Sequence, residues 1–246
     1  MKRNTTNAII MGIAIILCVS IMSVSAIVIK LRPTGSISVT GSASRDFVSD
    51  LIVWRGSFYE RSWTTREAYT QIKDYAAAIR AYLVNKGVSE KEIVFSSVEI
   101  SENYNNEYNA DGSYRQMVFS GYTLTQKVTI ESHEVDKIES ISRDITELID
   151  SGVDLLSMAP EYYYTRLDEL KIEMIAEATK NARTRAEKIA ENSGGEINKL
   201  IDANLGVFQI TAQNSSEDAY SYGGAFNVLS KNKTASITAK LNYSIK

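Results

Sequence analysis

One histidine, His133, and one cysteine, Cys18, are the whole supply of imidazole and thiol in this chain. A Ser–His or Cys–His nucleophile would have to run through His133 alone. That residue stands between Ser132 and Glu134 at the start of a helical pattern, where Glu131 and Glu134 are acids of the kind a helix dipole favours. A single cysteine closes no intrachain disulfide, and no His/Cys set has the spacing of a structural zinc. Asp144, Glu147 and Asp150 recur at helical spacing, but no EF-type loop surrounds them, so they read as a solvated helix face. Gly223-Gly224 lacks the Lys-Ser/Thr and following helix of a phosphate loop. The formal charge is −3, and Arg183, Arg185 and Lys188 alternate with Glu177, Glu187 and Glu191, which is no nucleic-acid stripe. The expectation is a protein with no catalytic, cofactor-binding or metal-ligating residue, no cofactor, no nucleic-acid partner and no enzymatic activity.

What remains for recognition is aromatic. Glu161-Tyr162-Tyr163-Tyr164, together with Trp54, Trp63 and Tyr59, is a set able to stack on sugar or peptide. Residues 214–233 form a Ser/Gly/Asn/Tyr stretch that is long for an inert connection. A small-ligand or glycan-binding module built on Tyr162–Tyr164 and 214–233 is therefore one reading. The other is that the same rings pack a core or an oligomer interface, where strand aromatics usually go.

Three helical patterns would position these residues. Over 65–86, Ala68, Ile72, Tyr75/Ala76, Ile79 and Leu83 step by three or four, with Thr64-x-x-Glu67 as a capping box and Gly87 as the stop. Over 133–150, Val135, Ile138, Ile141, Ile145 and Leu148 share a face, capped by Ser132 and ended by Gly152. Over 166–192 the stripe is Leu170, Met174, Ala178, Ala182, Ala186 and Ile189, and its small middle residues call for a close neighbour. Strands with period two are expected at 36–44, 50–60, 92–103, 122–130, 153–163, 198–211 and 235–246. Clean alternation favours antiparallel pairing with one wetted face. Residues 103–114 read as a polar turn-rich loop, with Asp111-Gly112 as a hairpin signal. Leu83–Val88 and Leu148–Val153 repeat a helix end, a glycine and a strand start. The expected fold is α+β: antiparallel sheet with about three helices on one face, two β-α-β-like units, then a long third helix and a C-terminal strand.

The first thirty residues are different material. Lys2 and Arg3 precede an uncharged run from Ile9 to Ile29, and Lys30, Arg32 and Pro33 follow. As a helix at ~1.5 Å per residue this run spans ~31 Å, about one hydrocarbon core. It is either a retained single-pass signal anchor or a signal peptide cut after Val24-Ser25-Ala26. Leu17 before Cys18 is too bulky for a lipid-attachment site. Both readings export the rest of the chain. The organisation is a short cytoplasmic N-terminus at 1–8, a transmembrane segment at 9–29, a linker at 30–35 and a folded body at 36–246. The location is the bacterial inner membrane with the body in the periplasm, or, if cleaved, the soluble periplasm.

The body resembles the SIMPL-domain family of exported bacterial proteins, whose relatives include a ring-forming periplasmic immunogenic protein. The resemblance lies in Ile37-Ser38-Val39-Thr40-Gly41-Ser42-Ala43, Asp50-Leu51, Gly121-Tyr122, the Ala-rich Asn181–Ala190 stretch before Gly194-Gly195, and the alternating last strand. Where the family often has Pro before the Asp of the second strand, this chain has Ser49. The resemblance implies an α+β exported domain that self-associates into homo-oligomers, carries no established catalytic residue, and is linked to envelope or oxidative stress.

Overall fold

Ten strands and four α-helices form among the described residues of the computed structural model, which are 2–30, 35–215 and 223–246, with side chains from 11–25 and from 35 onward. In chain order they are α1 (Lys2–Lys30), β1 (Ser36–Val48), β2 (Leu51–Ser62), α2 (Thr65–Asn85), β3 (Ile93–Phe95), β4 (Glu99–Tyr108) and β5 (Tyr114–Ser132). Then come α3 (Val135–Asp144), β6 (Leu155–Ser157), β7 (Glu161–Tyr163), α4 (Leu167–Asn192), β8 (Ile197–Leu205), β9 (Gln209–Ala212) and β10 (Asn232–Ile245). The chain divides into two compact units: Met1–Ser42, Ala176–Gly206 and Thr238–Lys246 in one, Ala43–Ile175 and Val207–Ile237 in the other.

The larger unit holds a sheet in which β3, β5, β2 and β6 lie side by side, with β4 also on β5 and β7 also on β2, all antiparallel. The unit β2-α2-β3 straddles β5, and β5-α3-β6 straddles β2. The two expected β-α-β units are thus interleaved, a split β-α-β arrangement. Its core joins Trp54, Phe58, Leu124 and Ile130 of the sheet to Ile72, Ile79 and Leu83 of α2 and Ile138 and Ile141 of α3. Gly56 is bare because a Cβ there would stand 2.8 Å from the Trp54 ring.

Local signals set the helix ends. Thr64 Oγ1 accepts from Glu67 N at 3.3 Å, but the Glu67 carboxylate accepts from Ser62 Oγ at 2.6 Å, so only half of the expected capping box forms. The pattern over 133–150 is α-helical only to Asp144; Ile145–Ser151 tightens into a 3₁₀ turn that ends on left-handed Gly152. Pro160 splits the expected strand 153–163 into β6 and β7, and Gly206 interrupts 198–211 between β8 and β9.

In the smaller unit, Val39, Ala182, Ala186, Leu241 and Tyr243 form one cluster. Gly41 meets the backbone of α4 there: a Cβ on it would stand 2.7 Å from Ala182 Cα and closer still to the Ala182 nitrogen. This is the close neighbour that the small residues of α4 call for. The buried row ends on Ala190, not on Ile189, which is 47% exposed. From Leu170 to Ala190 every step is four residues, and that row carries the buried face past Ile189.

Between residues 11 and 25, α1 is uncharged and nearly all exposed. Among the described residues no helix is long and apolar enough to cross a membrane. The transmembrane anchor read over 9–29 is therefore not supported, and the side chains of 9, 10 and 26–29 lie outside the described residues. Most of the linker at 30–35, and 216–222 within the 214–233 stretch, lie outside the described residues.

Candidate functional site

The largest departure from the sequence reading is the segment 103–114. It is not a loop: β4 runs on to Tyr108 and β5 starts at Tyr114, so the two strands extend as a ribbon closed by a short turn. The turn is made locally. Asp111 Oδ1 accepts from Ser113 N at 2.9 Å, which with the Ser113 hydroxyl holds the Asp111 carboxyl below its usual range, and Gly112 takes φ +81°. Asn109 N then donates to Ser113 O at 2.8 Å and starts the ladder.

Cross-strand pairs gather the ribbon's large apolar side chains on one face, with Glu102 and Asn106 between them. Ile100 faces Leu124, Glu102 faces Tyr122, Tyr104 faces Phe119, Asn106 faces Met117 and Tyr108 faces Tyr114. Leu124 is in the core and Tyr122 packs against it, so this face continues the core face of the sheet. Further out the rings contact one another edge to face. Centroid separations are 5.1 Å for Phe119–Tyr122, 5.8 Å for Tyr104–Phe119, 6.2 Å for Trp63–Phe119 and 6.3 Å for Tyr108–Tyr114. Trp63 is 67% exposed, Tyr108 60% and Met117 59%.

Gly121 sets the aim of the ribbon. It takes φ +105° where β5 carries an extra residue opposite Asn103, and a Cβ on it would stand 2.6 Å from Ser62 O. A second extra residue on β5 lies opposite Glu107/Tyr108, so both irregularities fall on β5 and β4 itself stays regular. Among the described residues β4 pairs only with β5, which leaves its other edge open. The acids on the ribbon are locally engaged. Tyr104 OH donates to Glu102 at 2.6 Å, which raises the Tyr104 pKa, and Gln116 Nε2 donates to Glu107 at 3.2 Å.

The aromatic set singled out from the sequence does not converge. Trp54 is fully buried, and its Nε1 donates to Ser157 Oγ at 3.0 Å. Tyr162 is buried in the larger unit's core. Tyr163 OH donates to Glu161 at 2.7 Å, and Glu161 pairs with Arg55 at 2.9 Å, which lowers the Glu161 pKa. Tyr164 lies 4.9 Å from the Phe47 ring, with Arg166 on its face. Tyr59 has Arg61 over it at 5.6 Å. Only Trp63 belongs to the exposed cluster. Alternation and composition put tyrosines on strands but do not say which face a neighbouring element covers.

His133 Nδ1 meets the Asp50 carbonyl oxygen at 2.7 Å, a main-chain tie and not a base–nucleophile contact. Clefts of about 540 and 560 Å³ flank it, the second lined by Ser49, Asp50, Glu134, Asp136, Lys137 and Lys231. The charges of that second cleft are paired, Lys137 with Glu134 at 2.6 Å and Lys231 with Asp136 and Glu139. Tyr162, Tyr163 and Tyr164 line neither cleft. Asp50 itself accepts from Thr165 N and Oγ1 at 2.7 and 2.8 Å, a brace between the start of β2 and the approach to α4. Of the acidic run, Asp144 accepts from Ser140 and Glu147 from Tyr82. Among the described residues no group of three or more His, Cys, Asp or Glu side chains is placed to hold a metal. Arg183–Glu187 and Lys188–Glu191 pair along the exposed face of α4 at 2.8 Å each.

One residue went unmarked in the sequence. Lys233 on β10 is 1% exposed, donates to the Tyr162 carbonyl oxygen and lies 5.9 Å from the Phe226 ring, and burial lowers its pKa to about 8. The signal was the alternation itself, which puts position 233 on the inward face with Ala235 and Ile237.

No curated protein matches the chain. The SIMPL family model, described as a protein of unknown function (DUF541), matches residues 37–242. That match spans β1 through nearly all of β10 and takes in the Gly41–α4 contact, the Asp50 brace and the Gly121 bend, and on it the chain belongs to the SIMPL family.

Proposed function

We propose that this SIMPL protein is a non-enzymatic, exported component of the bacterial cell envelope that works by contact between protein surfaces, self-assembly first among them. The observation that carries the reading is the aromatic ribbon face. The exposed side chains of Trp63, Tyr104, Tyr108 and Met117, around half-buried Phe119, make a surface that is unfavourable in water unless something covers it, and such surfaces characterise interaction sites. The open edge of β4 beside it supports the same reading, because an unpaired strand edge is a template for another strand. Export is supported by Lys2 and Arg3 ahead of the long uncharged run, with the segment either retained as a tether or removed. The setting we propose for this contact role is the envelope or oxidative stress response that the resemblance implies.

Native mass measurement of the detergent-solubilised full chain tests the proposal. Multiples of the 27.3 kDa chain at micromolar concentration are expected if the leading segment is retained. A strict monomer there overturns it.

A further inference from the structure

Among the described residues the edge strands β4 and β8 are exposed along nearly their whole length, whereas edge strand β1 alternates buried and exposed, and β4 and β8 differ in one respect. β8 is exposed along nearly its whole length, but the extra residues in its pairing with β10 fall on β8 itself. Bulges on an edge strand twist its free groups away from a straight partner. β4 is the opposite case: its bulges lie on the inner strand β5, it contains no glycine or proline, and its outer edge is unpaired among the described residues.

The sequence of β4, EISENYNNEY, also has a distinctive relation to itself. Laid antiparallel to a second copy with Tyr104 opposite Tyr104, it sets Ile100 against Tyr108 and Tyr108 against Ile100. All three positions are on the aromatic face of the ribbon, so its rings continue across the junction with Glu102–Asn106 pairs between them. The acids meet neutral donors: Glu102 faces Asn106, and Ser101 faces Glu107. Asn103 faces Asn105. Neighbouring registers are worse. Moving the centre to Asn103 sets Glu99 against Glu107 and Ile100 against Asn106. Moving it to Glu102 sets two glutamates face to face. Placing Tyr104 opposite Asn105 sets Glu102 against Glu107 and turns one aromatic face to the wrong side. Like charges directly opposed across a ladder destabilise it, and matched aromatic or aliphatic pairs stabilise it.

We infer that two copies of this chain join through the open edges of β4, antiparallel from Ile100 to Tyr108, about a two-fold axis at Tyr104. The inference rests on the self-assembly reading and gives it a surface and a register. The pairing is isologous, so each copy presents the same patch and the edge closes on itself. It merges two ribbons into one sheet whose aromatic face doubles in width.

Directly opposed residues of an antiparallel pair have Cα atoms ~4.5–5.5 Å apart, within the ~4.4–6.8 Å that a disulfide spans. The experiment uses the full-length chain carrying Cys18→Ser, oxidised in air and run without reductant. Tyr104→Cys should shift to twice the chain mass. Asn103→Cys and Asn105→Cys should each stay at single mass alone and crosslink when mixed. Asn106→Glu, which sets a second carboxylate against Glu102 of the other copy, should lose the dimer, and adding Glu102→Gln should restore it. If the wild-type chain assembles but Tyr104→Cys does not crosslink and Asn106→Glu keeps its mass, the β4 register is wrong and self-assembly stands. If the wild-type chain is a monomer, both fail.

Discussion

The ammonium of Lys233 donates to the carbonyl oxygen of Tyr162 from a position only 1% exposed. Burial holds its pKa at about 8 against an ordinary 10.5. A lysine whose folded pKa is depressed opposes folding in full below the folded value, where both states carry the proton. Between about 8 and 10.5 the unfolded chain binds the proton and the folded one does not, so stability rises with pH. At about 1.4 kcal/mol per pH unit the recovery is on the order of 3 kcal/mol. Urea unfolding at pH 7.5, 9 and 10.5 should show that rise in the wild-type chain and its loss in Lys233→Met. Parallel curves for the two proteins would refute it.

Gly41 has no room for a side chain against α4. Gly41→Ala should destabilise the protein by about 2–4 kcal/mol, the range for a forced backbone shift or overpacking. Gly223→Ala, where nothing lies within 4 Å and φ is not left-handed, should stay within about 0.5 kcal/mol. Denaturant midpoints of the two variants, compared with the wild type, decide the point.

Trp54 is anchored by Ser157, whose hydroxyl also donates to Ser142 O at 2.7 Å. Ser157→Ala leaves the buried indole N–H without its acceptor and should cost about 1–3 kcal/mol. Ser157→Thr keeps the oxygen and should lose less. A red shift or intensity change of the tryptophan emission in Ser157→Ala, absent in Ser157→Thr, would report the freed ring.

The ribbon separates stability from assembly. Tyr108 and Met117 are exposed, so Tyr108→Ser and Met117→Ser should change unfolding free energy by no more than about 0.5 kcal/mol. The double variant should nonetheless shift the wild-type mass distribution toward monomer. Unchanged mass at unchanged stability would remove the ribbon from the assembly surface.

Antiparallel strands and the helix stops were legible in the sequence because each is written in local terms. Apolar residues two or four apart and glycine after a helix act within one or two turns of chain. Thus Ala235, Ile237, Ala239, Leu241 and Tyr243 lie on the buried face of the alternating last strand, though Ile245 on the same face is only half-buried, and the helix stops Gly87 and Gly152 both take left-handed φ. The 103–114 segment read as a loop because Asn and Glu have low strand propensity. In the structure it is a strand paired along its length with β5, Tyr104 opposite Phe119 and Tyr108 opposite Tyr114.

What only the tertiary structure decided is which of these faces is covered. Trp54 within β2 and Trp63 just past its end look alike as aromatics in the sequence, yet α2 and α3 pack over the first and nothing described packs over the second as fully. Likewise Lys233 lies on an inward face that any alternation rule would assign, but its cost is set by Tyr162 and Phe226, brought from elsewhere in the chain. Period and capping are properties of consecutive residues and survive in the sequence. Burial is a property of neighbours distant along the chain, and it exists only once the elements have packed.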